Sequence, residues 1–215
     1  MTDSGRQIMR SMGALGLVAI LGTALLAGVH DLTAERIAEQ ERRVVLEQLG
    51  QVLPAEQYDN TLQDDLFFLS DELHFPGGQQ VTAYRARKQG APVAVILRFS
   101  TSSGYNGNIG LLAGIQTDGR LTGVRVTTHK ETPGLGDAIE VEKSDWILAF
   151  NDRSLQNPEK NGWAVKRDGG AFDQFTGATI TPRAIVNAVH AALEFFNDNR
   201  EMLFEHPAIS PGAEG

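Results

Sequence analysis

The sequence predicts an α+β fold, an antiparallel sheet with packed helices, preceded by one N-terminal transmembrane helix. Three observations carry this expectation. Ser11 to Val29 contains no charged residue. Two pairs of strand-like runs flank short glycine-bearing turns between Val81 and His129. An apolar stripe at helical spacing then follows Thr181 near the end of the chain. Strand runs followed by a terminal helix favour segregated helices against an antiparallel sheet.

The uncharged stretch is long enough to cross a bilayer core as a helix. Arg6 and Arg10 precede it, and Asp31, Glu35 and Arg36 follow it. The positive-inside rule therefore places the short N-terminus in the cytoplasm and the remaining chain outside. Two other readings compete. A cleaved signal peptide has the same charge layout, but its apolar region is usually shorter, and Ala24–Gly28 makes a poor cleavage site. A buried helix would rarely be apolar on every face. The anchor is the reading adopted. It assigns residues 1–30 to a cytoplasmic N-terminus and membrane span, 31–60 to a membrane-proximal helical segment, 61–205 to an extracytoplasmic domain and 206–215 to a disordered tail.

Within the membrane-proximal segment, Ile37, Val44, Val45, Leu46 and Leu49 form a partial apolar stripe. Gly50 and Pro54 are its expected stop. Val81–Arg87 and Pro92–Ser100 flank a turn with Gly90, and Ile109–Gln116 and Arg120–His129 flank Thr117-Asp118-Gly119. Both patterns predict hairpins. Glu140–Phe150 reads as helical, with Val141, Trp146, Ile147 and Phe150 partly in register, and Asn151–Gly162 as a polar loop. For the last helix, Thr181 is the expected cap and Pro182 suits the first turn. Ile185, Val189, Leu193 and Phe196 supply its core-facing stripe.

Composition excludes several functions. The chain has 215 residues, a formal net charge of −8 and no cysteine. The acidic balance and the lack of a basic stripe argue against a nucleic-acid partner. Without cysteine there is no disulfide, thiolate-held cluster or Cys-type zinc site, so redox work would fall to a bound cofactor. The five histidines, His30, His74, His129, His190 and His206, show no metal-ligand spacing. No metal site and no catalytic residue set is expected.

Two glycine-bearing stretches remain as site candidates. In Asp173–Val189, Thr176, Gly177, Ala178 and Thr179 lead into the last helix. Backbone N–H groups and the helix dipole favour an anion there, and the small residues let a large group approach. The alternative is an ordinary capped turn. In Thr128–Glu140, Gly134, Leu135 and Gly136 follow a strand end. Such a loop can lie against a flat ring with Leu135 as a packing plate, or simply be a turn. The glycines do not form a dinucleotide fingerprint, since Ile139 occupies the third position.

Three motifs, Gly104–Ile115, His129–Glu140 and Asp173–Pro182, together with the N-terminal anchor, resemble the flavin-binding G component of the Rnf electron transport complexes, which are ion-translocating oxidoreductases of bacterial membranes. The likeness covers nearly the whole chain. The C component of the sodium-pumping NADH:quinone reductases shares the FMN-binding domain. The resemblance implies covalent FMN on Thr179 through a phosphoester. Asp173, Thr176, Gly177 and Ala178 complete the family's attachment motif. It further implies a separate flavin transferase, partner subunits of a membrane complex, and electron relay between ferredoxin and NAD coupled to ion movement. The implied location is the bacterial inner membrane, single-pass, with the C-terminal domain in the periplasm; the lipid bilayer is a further implied partner. Thr132 of the second motif is placed to hydrogen-bond the flavin edge, while Glu131 is read as a flavin neighbour or a turn cap. His129 is read as structural or as approaching the flavin, and Trp146 as core or as a stacking plate. The alternatives are the quinone-reductase C component and a flavin-free, membrane-anchored sensor or assembly module.

Overall fold

The computed structural model describes residues 3–206 and residue 208. The expected tail therefore lies, apart from His206 and Ala208, outside the described residues. The chain divides into two compact units, Met1–Leu46 and Glu47–Gly215.

Helix α1 spans Asp3–Val52. Alanine, leucine, glutamate, glutamine and arginine dominate it, all good helix formers. The expected stop at Gly50 is not used. The helix runs on to Val52 and ends before Pro54, which disfavours helical geometry in the residue preceding it. In the first unit Met12, Leu15, Leu17, Ile20, Leu21, Leu25, Leu26 and Val29 are all exposed. Among the described residues no helix is long and apolar enough to cross a membrane. Within the expected span, the side chains of Ser11, Ala14 and Val18 lie outside the described residues.

The second unit is built on a five-stranded antiparallel meander in the order β1-β2-β3-β4-β5. The strands are β1 (Leu66–Leu69), β2 (Val81–Lys88), β3 (Ala91–Gly104), β4 (Gly107–Gln116) and β5 (Leu121–Thr128). Both expected hairpins form, and β1 adds an edge strand that the sequence pattern does not reveal. The β2–β3 connection is a two-residue loop with Gln89 at φ 52° and Gly90 at φ 79°. Two positive φ values make the turn whose twist matches the strands it joins.

Alternation along the strands separates two faces. Val95, Leu97 and Phe99 of β3 and Ile109, Leu111, Ala113 and Ile115 of β4 share one core with helix α2 (Ile180–Asp198). The stripe expected on that helix, Ile185, Val189, Leu193 and Phe196, is buried there. The opposite face meets the end of α1. Gly114 and Gly123 pair across β4 and β5. A Cβ on Gly114 would lie 3.1 Å from the Val52 carbonyl oxygen, and one on Gly123 would lie 3.4 Å from Val52 Cα. Thr122 Oγ1 donates to that carbonyl at 2.5 Å, which occupies one of the helix's orphan acceptors.

Glu140–Phe150, read as helical, is helical only in its second half. It contains a turn and then a 3₁₀ helix over Asp145–Phe150. Ser144 causes the break. Its hydroxyl accepts from Trp146 N–H at 3.2 Å and donates to the Ala138 carbonyl at 2.7 Å. Serine bonding of this local kind competes with a continuous helix. The stretch still buries Ile147 and Phe150, and Phe150 stacks on Phe172 at 4.6 Å and neighbours Trp163 at 6.3 Å.

Near the C-terminus, helix α3 (Arg200–Glu205) is tied to strand β2 by two arginines. Asp65 accepts from Arg85 Nε at 2.7 Å and from Arg87 Nε at 2.8 Å. Arg87 also donates to the Phe204 carbonyl at 2.9 Å, and the buried Arg85 donates to the His206 carbonyl. His206, assigned to the tail from sequence, stacks on Phe67 at 4.5 Å. Asp65→Ala leaves Arg85 buried without its carboxylate. Stability falls by about 2–3 kcal/mol, read as a lower urea midpoint.

One histidine gives a pH dependence. Burial lowers the His190 pKa, opposed by Glu194 at 3.6 Å and reinforced by Lys160. A folded-state value below the unfolded one means that the unfolded chain binds more protons in that range. The His190 contribution is present above the unfolded value of about 6.5 and is lost as pH falls through it toward the folded value. A lower urea midpoint at pH 5.5 than at pH 7.5 is expected, with the difference reduced in His190→Gln.

Candidate functional site

Three segments converge on one cleft of about 350 Å³. The first is the β3–β4 turn, where Gly104 pairs with Gly107 around Tyr105 and Asn106. Gly107 adopts φ 103°. At Gly104 a Cβ would lie 2.4 Å from the Gly107 carbonyl oxygen, so only glycine fits. Tyr105 is consequently presented at the tip, 66% exposed, on the wall of the cleft.

The second segment is the loop after β5. Leu135 and Gly136 both donate their N–H to the Thr132 carbonyl, at 3.1 and 3.0 Å. Gly134 adopts φ 76° and donates to Asp137 Oδ1 at 2.8 Å. These bonds fold the loop tightly and leave Leu135 46% exposed over the cleft. His129 anchors the start of the loop. Its Nδ1 accepts from Glu131 N–H at 3.1 Å, and its Nε2 lies 2.9 Å from Glu140 Oε1.

The third segment is the entry to α2. Gly177 adopts φ 83°, and a Cβ there would lie 3.5 Å from Leu135 Cδ2. Thr179, expected two residues before the cap, is itself the N-cap of α2. Its carbonyl accepts from Arg183 N–H at 3.3 Å, but its side chain makes no capping hydrogen bond. Thr181, expected to be the cap, sits within the first turn, fully buried. Its hydroxyl donates instead to Glu131 Oε2. The Gly177 turn starts the helix earlier than the sequence suggests, and a buried carboxylate takes the hydroxyl meant for capping.

The lining thus brings together Thr132, Leu135, Gly136, Gly177, Ala178 and Thr179 of the expected site. Gly134 shapes the turn behind them and is not among the lining residues. Neither are Asp173 and Thr176. Asp173 pairs with Lys166 at 2.6 Å, and its carbonyl accepts from Trp146 Nε1 at 2.7 Å. Thr176 is exposed. Trp146 packs edge-on against Phe150 and Phe175, at 5.4 and 5.1 Å, and buttresses the Asp173–Thr179 loop from behind. His129 is held by Glu140 and the backbone and is not among the lining residues.

Tyr105 and Ile180 line the cleft without having stood out in the sequence, and Glu131 forms part of its wall rather than a cap. The available signal for Tyr105 was an aromatic residue inside a glycine-bracketed turn. Among the described residues no cluster of His, Asp or Glu is grouped to hold a metal ion.

The chain matches the model of the FMN-binding domain family over residues 104–194. It also matches the model of the RnfG N-terminal region over residues 1–52. It is 48% identical to the G component of an ion-translocating oxidoreductase complex of Pseudomonas aeruginosa, covering 92% of this chain and 92% of the relative. The corresponding component of Shewanella loihica is 44% identical, covering 94% and 96%. That of Vibrio cholerae is 42% identical, covering 90% and 92%.

Proposed function

Since the chain belongs to the family of G components of ion-translocating oxidoreductase complexes, we propose that it carries electrons within such a complex, using FMN bound in the cleft and esterified through its phosphate to Thr179. The observation that carries this reading is the state of the Thr179 hydroxyl. Thr179 lines the cleft, and its side chain is not spent on capping its own helix.

The residues present fit the group. Tyr105, Leu135 and Ile180 offer apolar surface to a flat ring, while Gly136, Gly177 and Ala178 leave room for it. Thr132 offers a hydroxyl to a ring edge, and it already accepts from Asn106 Nδ2 at 3.2 Å. Among the described residues no lysine or arginine lines the cleft. A phosphate there relies on the first-turn N–H groups of α2, which have no partner within the helix. That hold alone is modest, so a covalent bond suits the site.

Bound FMN supplies the capacity to accept and pass on electrons. The chain holds the ring, limits water around it and keeps its phosphate fixed. A threonine hydroxyl is a poor nucleophile unaided, so attachment falls to a separate flavin transferase. The exposed Thr176 and Gly177 leave that enzyme a path to the oxygen. The uncharged run Ser11–Val29 and the basic residues before it support a single span, with the second unit in the periplasm. There a dissociable flavin would be lost, and a tethered one is retained.

The direct test is mass spectrometry of the tryptic peptide Asp168–Arg183 from native membranes. The peptide should carry the FMN mass on Thr179. A wholly unmodified peptide sinks the proposal.

A further inference from the structure

We propose that Glu131 sets the reduction potential of the group held in this cleft, and that the fold maintains a fixed negative charge there for that purpose. The proposal rests on the reading of FMN at Thr179.

Glu131 is only 5% exposed, yet it forms part of the cleft wall. Burying a charge is costly unless its hydrogen-bonding capacity is met, and here both oxygens are met. Oε1 accepts from the Asn106 backbone N–H at 3.0 Å. Oε2 accepts from the Thr181 hydroxyl, itself fully buried. Two acceptor oxygens served by two donors meet the hydrogen-bonding needs of a carboxylate. The donors come from the two segments on either side of its own loop, so the carboxylate joins all three walls of the cleft.

The backbone around it is also fitted. A Cβ on Gly104 would lie 2.9 Å from Oε1, and one on Gly136 would lie 2.9 Å from Oε2. A side chain at either position would displace the carboxylate. Among the described residues the Glu131 oxygens are met by the Asn106 N–H and the Thr181 hydroxyl rather than by a cation, and no cationic residue lines the cleft. Its charge is therefore balanced by dipoles rather than by a counter-ion. A purely architectural bridge between Asn106 and Thr181 would need only a neutral acceptor.

Adding an electron to a neighbouring group adds negative charge beside this anion. The Coulomb interaction in a partly desolvated cleft is strong compared with that in water. It opposes reduction and so lowers the potential. Glu131→Gln keeps the bulk and an acceptor for Asn106, and its amide can donate to the Thr181 oxygen, but the charge is gone.

The test uses the full chain, loaded by the transferase in a host membrane and purified, with the midpoint potential read from the flavin absorbance. Glu131→Gln should retain the covalent label and make reduction about tenfold more favourable or greater, ~30 mV upward for a two-electron couple. Glu131→Leu, of similar bulk and uncharged, should shift the potential the same way. Glu131→Asp keeps the charge and should stay nearer the wild type. A labelled Glu131→Gln or Glu131→Leu protein with an unchanged or lower potential overturns the proposal. So does loss of label in both neutral variants with the fold intact, which would make Glu131 architectural. A wild-type protein without flavin instead removes the site reading itself, and this proposal with it.

Discussion

Replacing Thr179 by alanine should abolish the proposed covalent label entirely while the protein remains folded. On the proposed attachment, the wild-type chain made in a host with a flavin transferase should give a band that fluoresces under ultraviolet light after denaturing electrophoresis. The Thr179→Ala chain gives none. The separation of label from fold is expected because of how the hydroxyl is placed. An N-cap threonine normally contributes about 1 kcal/mol through its side-chain bond, but Thr179 makes no such bond. Its removal should therefore cost well under that amount, and the urea midpoint should hardly move. Thr179→Ser keeps a hydroxyl at the same place and should keep some label. Thr176→Ala, at an exposed position outside the cleft lining, should also retain label. A fluorescent Thr179→Ala band would place the attachment elsewhere.

The largest stability loss is expected at Phe150. This side chain is fully buried and joins the rings of Trp146, Trp163 and Phe172. Truncation removes its transfer free energy and leaves a cavity between rigid rings that cannot close it. Phe150→Ala should cost about 3–5 kcal/mol, a large share of the roughly 5–15 kcal/mol that holds a typical domain. Urea unfolding followed by tryptophan fluorescence reads this directly. Because Trp146 Nε1 donates to the Asp173 carbonyl, the loop that carries Thr179 should loosen before the sheet does. Faster proteolysis within 151–179, with the β2–β4 core still protected, is the accompanying sign.

Much of the architecture was legible because it follows from local pattern. Strand-like runs on either side of glycine-bearing turns mark the four longer strands, and the 3.6-residue stripe of Ile185, Val189, Leu193 and Phe196 marks α2. What the sequence misplaced depends on contacts between distant residues. Thr181 followed by proline looks like a cap, but Glu131, 50 positions away, takes its hydroxyl. Ser144 looks like a helix residue, yet its bonds to Ala138 and Trp146 stop the helix. Strand β1, only four residues long, has too little periodicity to declare itself.

The site divides along the same line. Gly177, Ala178 and Thr179 are adjacent in sequence and share the cleft, so a linear motif reveals them. Tyr105 reaches the same cleft only because the β3–β4 hairpin folds it there. Asp173 and Thr176 belong to the linear motif and yet stand outside the lining, a separation that the sequence alone does not show.

The glycine pair beneath Val52 dictates where the chain can be cut. A fragment beginning after Leu53 would strip the last turn of α1 from Gly114 and Gly123, wetting bare backbone on the β4–β5 side of the sheet and orphaning the Thr122 hydroxyl. Fragments that start at or before Glu47 keep that seal, so the placement of an affinity tag or a protease site decides whether a folded portion survives purification.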